Sequence, residues 1–389
     1  PSVALGWRIN EEAFMKNVKF ISNLKLRLSW GESGQCAIDP YQTMGLLGTS
    51  TYSFNNAVAY GYYPKTMANK ELTWETTSQY NLGLDFGFFN NRISGSIDVY
   101  KAETRNVLMS RNIPSINGYS TVMENIGRTS STGVDFQLST INIMTKDFTW
   151  SSDFTLSHNK EKIKELASGQ TKDEANAWFV GEAFKVFYDY KKIGIWQLDE
   201  AEEAAKNGQQ PGDIKVADIN GDGKITPEDR VIYSQRPNVT LGFNNSFKYK
   251  DFDLSVFIYA RLGQWIAYDY NNSYRINASE NGANVDYWTP ENPTNAFPRP
   301  DKSKSYNQTM YYTTLQYEKG SFWKIRDITL GYTLPRTLLK KLKLQRLRVY
   351  CTMKNFFTFS GIDNYDPEAG GSISFPMTKQ LVFGLNLEF

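Results

Sequence analysis

"YNLGLDFGFFNNRISGSIDVYKA", residues 80–102, decides the fold class. Tyr80, Leu82, Leu84, Phe86 and Phe88 alternate with Asn81, Gly83, Asp85 and Gly87. Successive side chains of a strand point to opposite faces, so this spacing gives one aromatic and aliphatic face and one polar or glycine face. A two-residue connection at Asn90–Asn91 leads into a second strand over 92–105. A connection that short joins antiparallel neighbours.

The same pattern recurs outward in both directions. In "NLKLRLSW", Leu24, Leu26, Leu28 and Trp30 share a face opposite Lys25, Arg27 and Ser29. "FDLSVFIYA" sets Phe252, Leu254, Val256 and Ile258 together, and "QLVFGLNLEF" does the same with Leu381, Phe383, Leu385, Leu387 and Phe389. Eleven strands are expected, over 1–9, 20–33, 78–89, 92–105, 127–142, 147–160, 238–249, 252–262, 320–334, 345–358 and 378–389. Their connections alternate in length. Short ones fall at 10–19, 90–91, 143–146, 250–251 and 335–344, and long ones at 34–77, 106–126, 161–237, 263–319 and 359–377. Compact soluble domains seldom carry several long connections, whereas outer-membrane barrels pair short turns on one side with long loops on the other. Strict alternation is what an up-and-down meander requires. Several strands exceed the ~5–6 residues usual in globular proteins and reach the ~9–11 that a tilted membrane strand needs. Trp7, Trp30, Trp150, Tyr249 and the pair Phe356–Phe357 lie toward strand ends, as in interfacial girdles.

Composition agrees. Tyr, Phe and Trp make up 15% of the 389 residues, yet mean hydropathy is −0.50, and no window resembles a spanning helix. A net charge of +2 gives no footprint for nucleic acid. Cys36 and Cys351 are too few and too distant for a disulfide framework or a zinc site, and one histidine, His158, excludes multi-histidine metal centres. The carboxylates Asp251 and Asp253 flank a tight turn rather than a cleft, so a glycosidase pair is unsupported and no enzyme is expected.

One segment belongs to different chemistry. "DINGDGKITPED", 218–229, places Asp218, Asn220 and Asp222 at positions 1, 3 and 5 of a calcium loop. Gly223 falls at the sharp turn, the Lys224 carbonyl at position 7, Thr226 at 9 and Asp229 at 12. This spacing wraps oxygens around one point, as a hard cation requires. "DEAEEAAKNG" supplies a short helix before it, but strand-like sequence follows, so a paired sensor module is not expected. The expectation is one structural Ca2+ fastening a long loop, with a polar Asp/Asn/Gly turn as the alternative.

Several stretches together resemble the SusC/RagA-type TonB-dependent transporters of Bacteroidetes outer membranes: "PSVALGWRINEEAFMKN", "ISNLKLRLSWGESG", "PGDIKVADINGDGKITPEDR", "TLGFNNSFKYKDFDLSVFIYA", "FWKIRDITLGYTLP", "LRVYCTMKNFFTFSGIDNYDPE" and "LVFGLNLEF". They follow the family's order and cover most of the chain. "TMKNFFTF" departs from the family's more amide-rich version. The final Phe389 on an amphipathic strand resembles an outer-membrane insertion signal. The resemblance implies an all-β transmembrane barrel, of which residues 1–389 would be the C-terminal part, about 11 of the ~22 strands of a plugged transporter. The long connections, 161–237 with its calcium-type loop among them, would be extracellular. The plug and TonB box would precede this chain.

The same resemblance implies active import of a nutrient, an oligosaccharide or a peptide, in glycan uptake or a related system. Its partners would be a SusD-like lipoprotein, the TonB–ExbB–ExbD complex and outer-membrane lipid. Trp265, Tyr268, Tyr270 and Trp288 are candidate substrate contacts, because flat apolar faces beside polar edges suit sugar rings. The alternatives are a siderophore or cobalamin transporter of the same barrel type, and a calcium-stabilised surface glycan-binding β protein.

Overall fold

The computed structural model describes residues 1–389 apart from 37, 39, 115, 117, 120, 167–168, 278–281, 336 and 340–343. Eleven strands form one sheet: β1 (Ser2–Arg8), β2 (Ile21–Gln35), β3 (Glu75–Phe88), β4 (Ile93–Asn112), β5 (Thr121–Met144), β6 (Phe148–Glu165), β7 (Val239–Tyr249), β8 (Phe252–Leu262), β9 (Phe322–Thr333), β10 (Arg346–Ser360) and β11 (Gln380–Glu388). Each lies beside its neighbour in sequence, the order of an up-and-down meander. All eleven coincide with expected strands. β4, β5 and β6 run further than expected at their long-connection ends, where sequence polarity hides them: Arg111 and Glu124 hold β4 to β5 there at 2.7 Å. Most of the interior of the short connection at 335–344 lies outside the described residues. No helix of the described residues is long and apolar enough to cross a membrane.

The chain divides into two compact units, 1–140 with 156–184, and 141–155 with 185–389. In the first, register aligns Leu5, Leu28, Leu82, Val99 and Val134 in one cross-strand row. The adjacent row, on the opposite face, is Gly6, Arg27, Gly83, Asp98 and Asp135. In the second unit, Phe247, Leu254, Leu330, Cys351 and Phe383 align, backed by Lys248, Asp253, Gly331, Tyr350 and Gly384. The apolar rows are the exposed ones: Leu5 is 68% accessible, Leu28 51%, Leu330 53% and Phe383 74%. A contiguous apolar surface on that scale is not left to water in a soluble monomer, and it is what a lipid-facing sheet presents.

The polar face carries ion pairs that glycines make room for. Arg27 bridges Asp85 at 2.8 Å and Asp98 at 2.9 Å, reaching across β3 over Gly83. A Cβ at Gly83 would sit 2.6 Å from the guanidinium carbon and from an Asp98 oxygen. Gly331 does the same for Arg348 and Asp253, which meet at 2.5 Å. Further along β9, Arg326 is a bulged residue unmatched on β8. Beside it Lys324 is fully buried between Asp366, at 2.7 Å, and Glu368, at 2.5 Å. Glu368 also takes Arg326 at 3.2 Å. Two acids for one enclosed ammonium, with a second cation at the rim, compensate a charge that would be costly alone. The network seats the connection after β10 against the sheet.

Candidate sites in the long connections

The conventional cores of this chain lie mainly in its connections. Ile195, Ile214, Val216, Tyr274, Ile276, Trp288, Tyr312 and Leu315 form one buried cluster, drawn from the connections before β7 and after β8. Short strands and turns support it: Lys192–Ile195 pairs with Ile214–Val216, Val186–Tyr190 with Arg230–Ser234, and Trp265–Ala267 with Tyr317–Lys319. The expected short helix is present over Ala201–Lys206. A smaller cluster of Val107, Met109, Ile163 and Leu166 belongs to the other unit.

The calcium-type loop lies on the first cluster, through Ile225. Gly221 and Gly223 hold φ of 75° and 80°, a left-handed conformation that favours glycine. Asp218 folds back so that Oδ1 accepts from Gly221 N at 2.7 Å and Oδ2 from Gly223 N at 2.8 Å. Asn220 Oδ1 accepts from Asp222 N, and Asp222 Oδ1 from Lys224 N. Each of these oxygens keeps a second acceptor position. Asp229 differs. It is fully buried, its Oδ1 accepts from Ile219 and Asn220, and its Oδ2 accepts from the amide and hydroxyl of Thr226. Thr226 caps the following turn in return. The Thr226 amide, foremost among these donors, holds the Asp229 carboxyl below the usual range. Among the described residues, no three His, Cys, Asp or Glu side chains are gathered closely enough to hold a metal ion. The donor types at 218, 220 and 222 suit a hard cation, while the oxygens of residue 229 are engaged with the loop's own backbone.

The four aromatic candidates separate. Trp288 is only 4% accessible, sits inside the cluster and donates Nε1 to Gln197 at 2.9 Å, so its ring works as packing. Tyr268 is as deeply buried and donates its hydroxyl to the Asp363 carbonyl, but it also lines a cavity of about 180 Å³ with Tyr270. Trp265 packs edge-on against Tyr233 and lines a neighbouring cavity of about 460 Å³ with Tyr317. Tyr317 packs against both Phe187 and Tyr233. Burial, reinforced by Asp189, pushes the hydroxyls of Tyr233 and Tyr317 up to about 12.

Two charged groups that the sequence pattern did not single out share this ground. Lys192 Nζ donates to the carbonyls of Asn295 and Ala296, and burial lowers its pKa. Glu318 accepts from Asn271 at 3.0 Å, and burial raises its pKa. A single lysine or glutamate in a long connection reads as solvated surface, so only packing reveals them. A second missed feature is a hairpin of Leu47–Phe54 and Ala57–Pro64, among the described residues paired only with itself, and densely aromatic.

Comparison with known proteins gives a concordant result. Residues 1–355 match the family described as TonB dependent receptor-like, beta-barrel. The whole chain aligns with TonB-dependent receptor P3 of Formosa agariphila at 31% identity and with TonB-dependent receptor SusC of Bacteroides thetaiotaomicron at 32%, covering 42% and 40% of those proteins. Among solved structures, a RagAB peptide transporter superposes on the whole chain with a TM-score of 0.82 at 25% identity, over 43% of that chain. The chain thus spans less than half the length of the relatives it matches.

Proposed function

Because the chain belongs to the TonB-dependent receptor-like β-barrel family, in its SusC/RagA group, we propose that the whole protein imports an oligosaccharide or peptide across the outer membrane. The chain is an outer-membrane barrel segment and its relatives are receptors and transporters, not enzymes. A SusD-like lipoprotein would cover the extracellular mouth, and TonB–ExbB–ExbD would supply energy through a plug. The observation that carries the reading is the structural match over the full chain, joined to long connections that build their own packed core. Such connections present a fixed recognition surface rather than loose loops. Trp265, Tyr268 and Tyr270 line cavities within it and are the proposed substrate contacts.

The same connections would carry one structural Ca2+, held by Asp218, Asn220, Asp222, the Lys224 carbonyl, Thr226 and Asp229. Spacing, Gly223 and the remaining acceptor capacity of the first three side chains support this. Binding must draw Asp229 away from the amides of Ile219 and Thr226, which favours modest affinity, in the ~10⁻⁴–10⁻³ M range of extracellular modules. The import reading is tested by affinity purification of the full-length protein from outer membranes with mass spectrometry. A surface lipoprotein in near-equal amount is expected, and a stably folded transporter that purifies alone would overturn the reading.

A further inference from the structure

The two cavities beside Trp265 and Tyr270 meet at Glu318 and Gly361. The smaller one has an unequal balance of charge. Glu318 and Asp363 line it, and no lysine or arginine does. Neither acid forms an ion pair among the described residues. The cation that acts on Glu318 is Lys192, but its ammonium is turned to the carbonyls of Asn295, at 2.9 Å, and Ala296, at 2.7 Å. Asn271 orients the site. Its amide nitrogen donates to the Leu315 carbonyl and to Glu318, both at 3.0 Å, leaving its side-chain oxygen as an acceptor. The cavity is therefore rich in acceptors and short of donors, and its carboxylate at 318 is half-buried without full compensation.

Tyr268 and Tyr270 line it too, beside Gly361, Ile362 and Asn364. The rings of Tyr268 and Tyr270 lie 5.8 Å apart, and Tyr365 flanks Tyr270 at 6.1 Å. Aromatic faces beside carboxylates favour an organic cation, which gains from the ring quadrupole as well as from the counter-charge. A hydrated metal ion would gain nothing from such walls. At about 180 Å³ the space admits a small terminal group rather than a whole ligand, whose remainder has room in the adjoining cavity of about 460 Å³.

We infer that the smaller cavity binds a primary ammonium group of the imported molecule, with Glu318 and Asp363 as counter-charges and Asn271 as a third acceptor. This deepens the import reading and rests on it for the source of the ligand, either a lysyl side chain of a peptide or the amine of an amino sugar. The test uses calorimetry on the full-length protein in detergent, with two matched pairs of probes. One pair is Nα-acetyl-Gly-Lys-Gly-amide and its norleucine counterpart, and the other is glucosamine and glucose. At least one amine should bind about tenfold or more tightly than its neutral partner, and which pair shows the preference identifies the source. Glu318→Gln should abolish that preference. Asp363→Asn, on an exposed loop residue, should weaken it in the same direction and covers the case in which the first variant misfolds. Equal affinities within both pairs, or a preference that survives both substitutions, would overturn the inference. Cellular uptake is measured separately. Amine preference without uptake removes the import reading and leaves the site, while uptake without amine preference does the reverse.

Discussion

Asp229 shows what a spacing rule conveys and what it omits. The pattern from Asp218 to Asp229 was legible because calcium loops place oxygens at fixed intervals, and Gly223 does take the left-handed turn expected at its position. The direction in which residue 229 faces was not legible. Aspartate is one methylene shorter than the glutamate usual there, and here its carboxylate reaches the amides of Ile219 and Thr226. The calcium proposal therefore requires residue 229 to exchange the loop's own amides for an ion. Adding Ca2+ to the full-length protein should slow proteolysis within 218–229 about tenfold, equivalent to ~1.4 kcal/mol of local stability. Chelation should reverse the protection, and Asp218→Ala with Asp222→Ala should remove the calcium response. Equal calcium protection of variant and parent would exclude these residues as ligands.

At the scale of the element, alternation located all eleven long strands, because a sheet with one lipid face and one polar face writes its geometry into every second residue. It missed the hairpin at Leu47–Pro64. Val58, Tyr60 and Tyr62 alternate there with Ala59 and Gly61, but its strands of 8 residues fall short of the ~9–11 that a membrane strand needs. Asn55 and Asn56 carry the positive φ of a tight turn just as Asn90 and Asn91 do. Alternation also could not assign Gly83 and Gly331, which look like weak points in good strands. They are instead the spaces through which Arg27 and Arg348 reach acids two strands away. Gly83→Val should thus be destabilising despite valine's preference for strands. The new side chain must displace the guanidinium, at a cost of roughly 2–3 kcal/mol. Gly61→Val is the comparison, since a Cβ there meets nothing nearer than 3.7 Å. Denaturant midpoints of the full-length protein in detergent should fall for the first and stay within error for the second. Equal midpoints would mean that Arg27 has another equally good partner.

On the scale of the whole molecule, packing is inverted relative to a soluble domain. The strands present Leu5, Leu28, Leu330 and Phe383 outward, while the connections enclose Ile195, Ile214, Trp288 and Tyr312. That inversion follows from solvent: lipid covers the apolar rows, and the connections must find cores of their own in water. The 47–64 hairpin breaks this rule. Tyr52, Tyr60 and Tyr62 are each about two-thirds or more exposed, its strands pair with no others among the described residues, and no charged residue lies between 47 and 64. An isolated two-stranded hairpin is marginally stable in water, and clustered tyrosines are the material of protein interfaces. If the proposed lipoprotein partner is what this hairpin meets, replacing 49–62 with a short Gly/Ser link should leave the heat-modifiable barrel intact. The amount of lipoprotein recovered with it should then drop at least about tenfold, the effect of losing a few hot-spot tyrosines. Undiminished recovery would show that the partner docks elsewhere. Loss of the folded barrel would show that the hairpin is needed by the transporter itself. The two outcomes separate on one gel, because heat modifiability reports the barrel and the co-purifying band reports the partner.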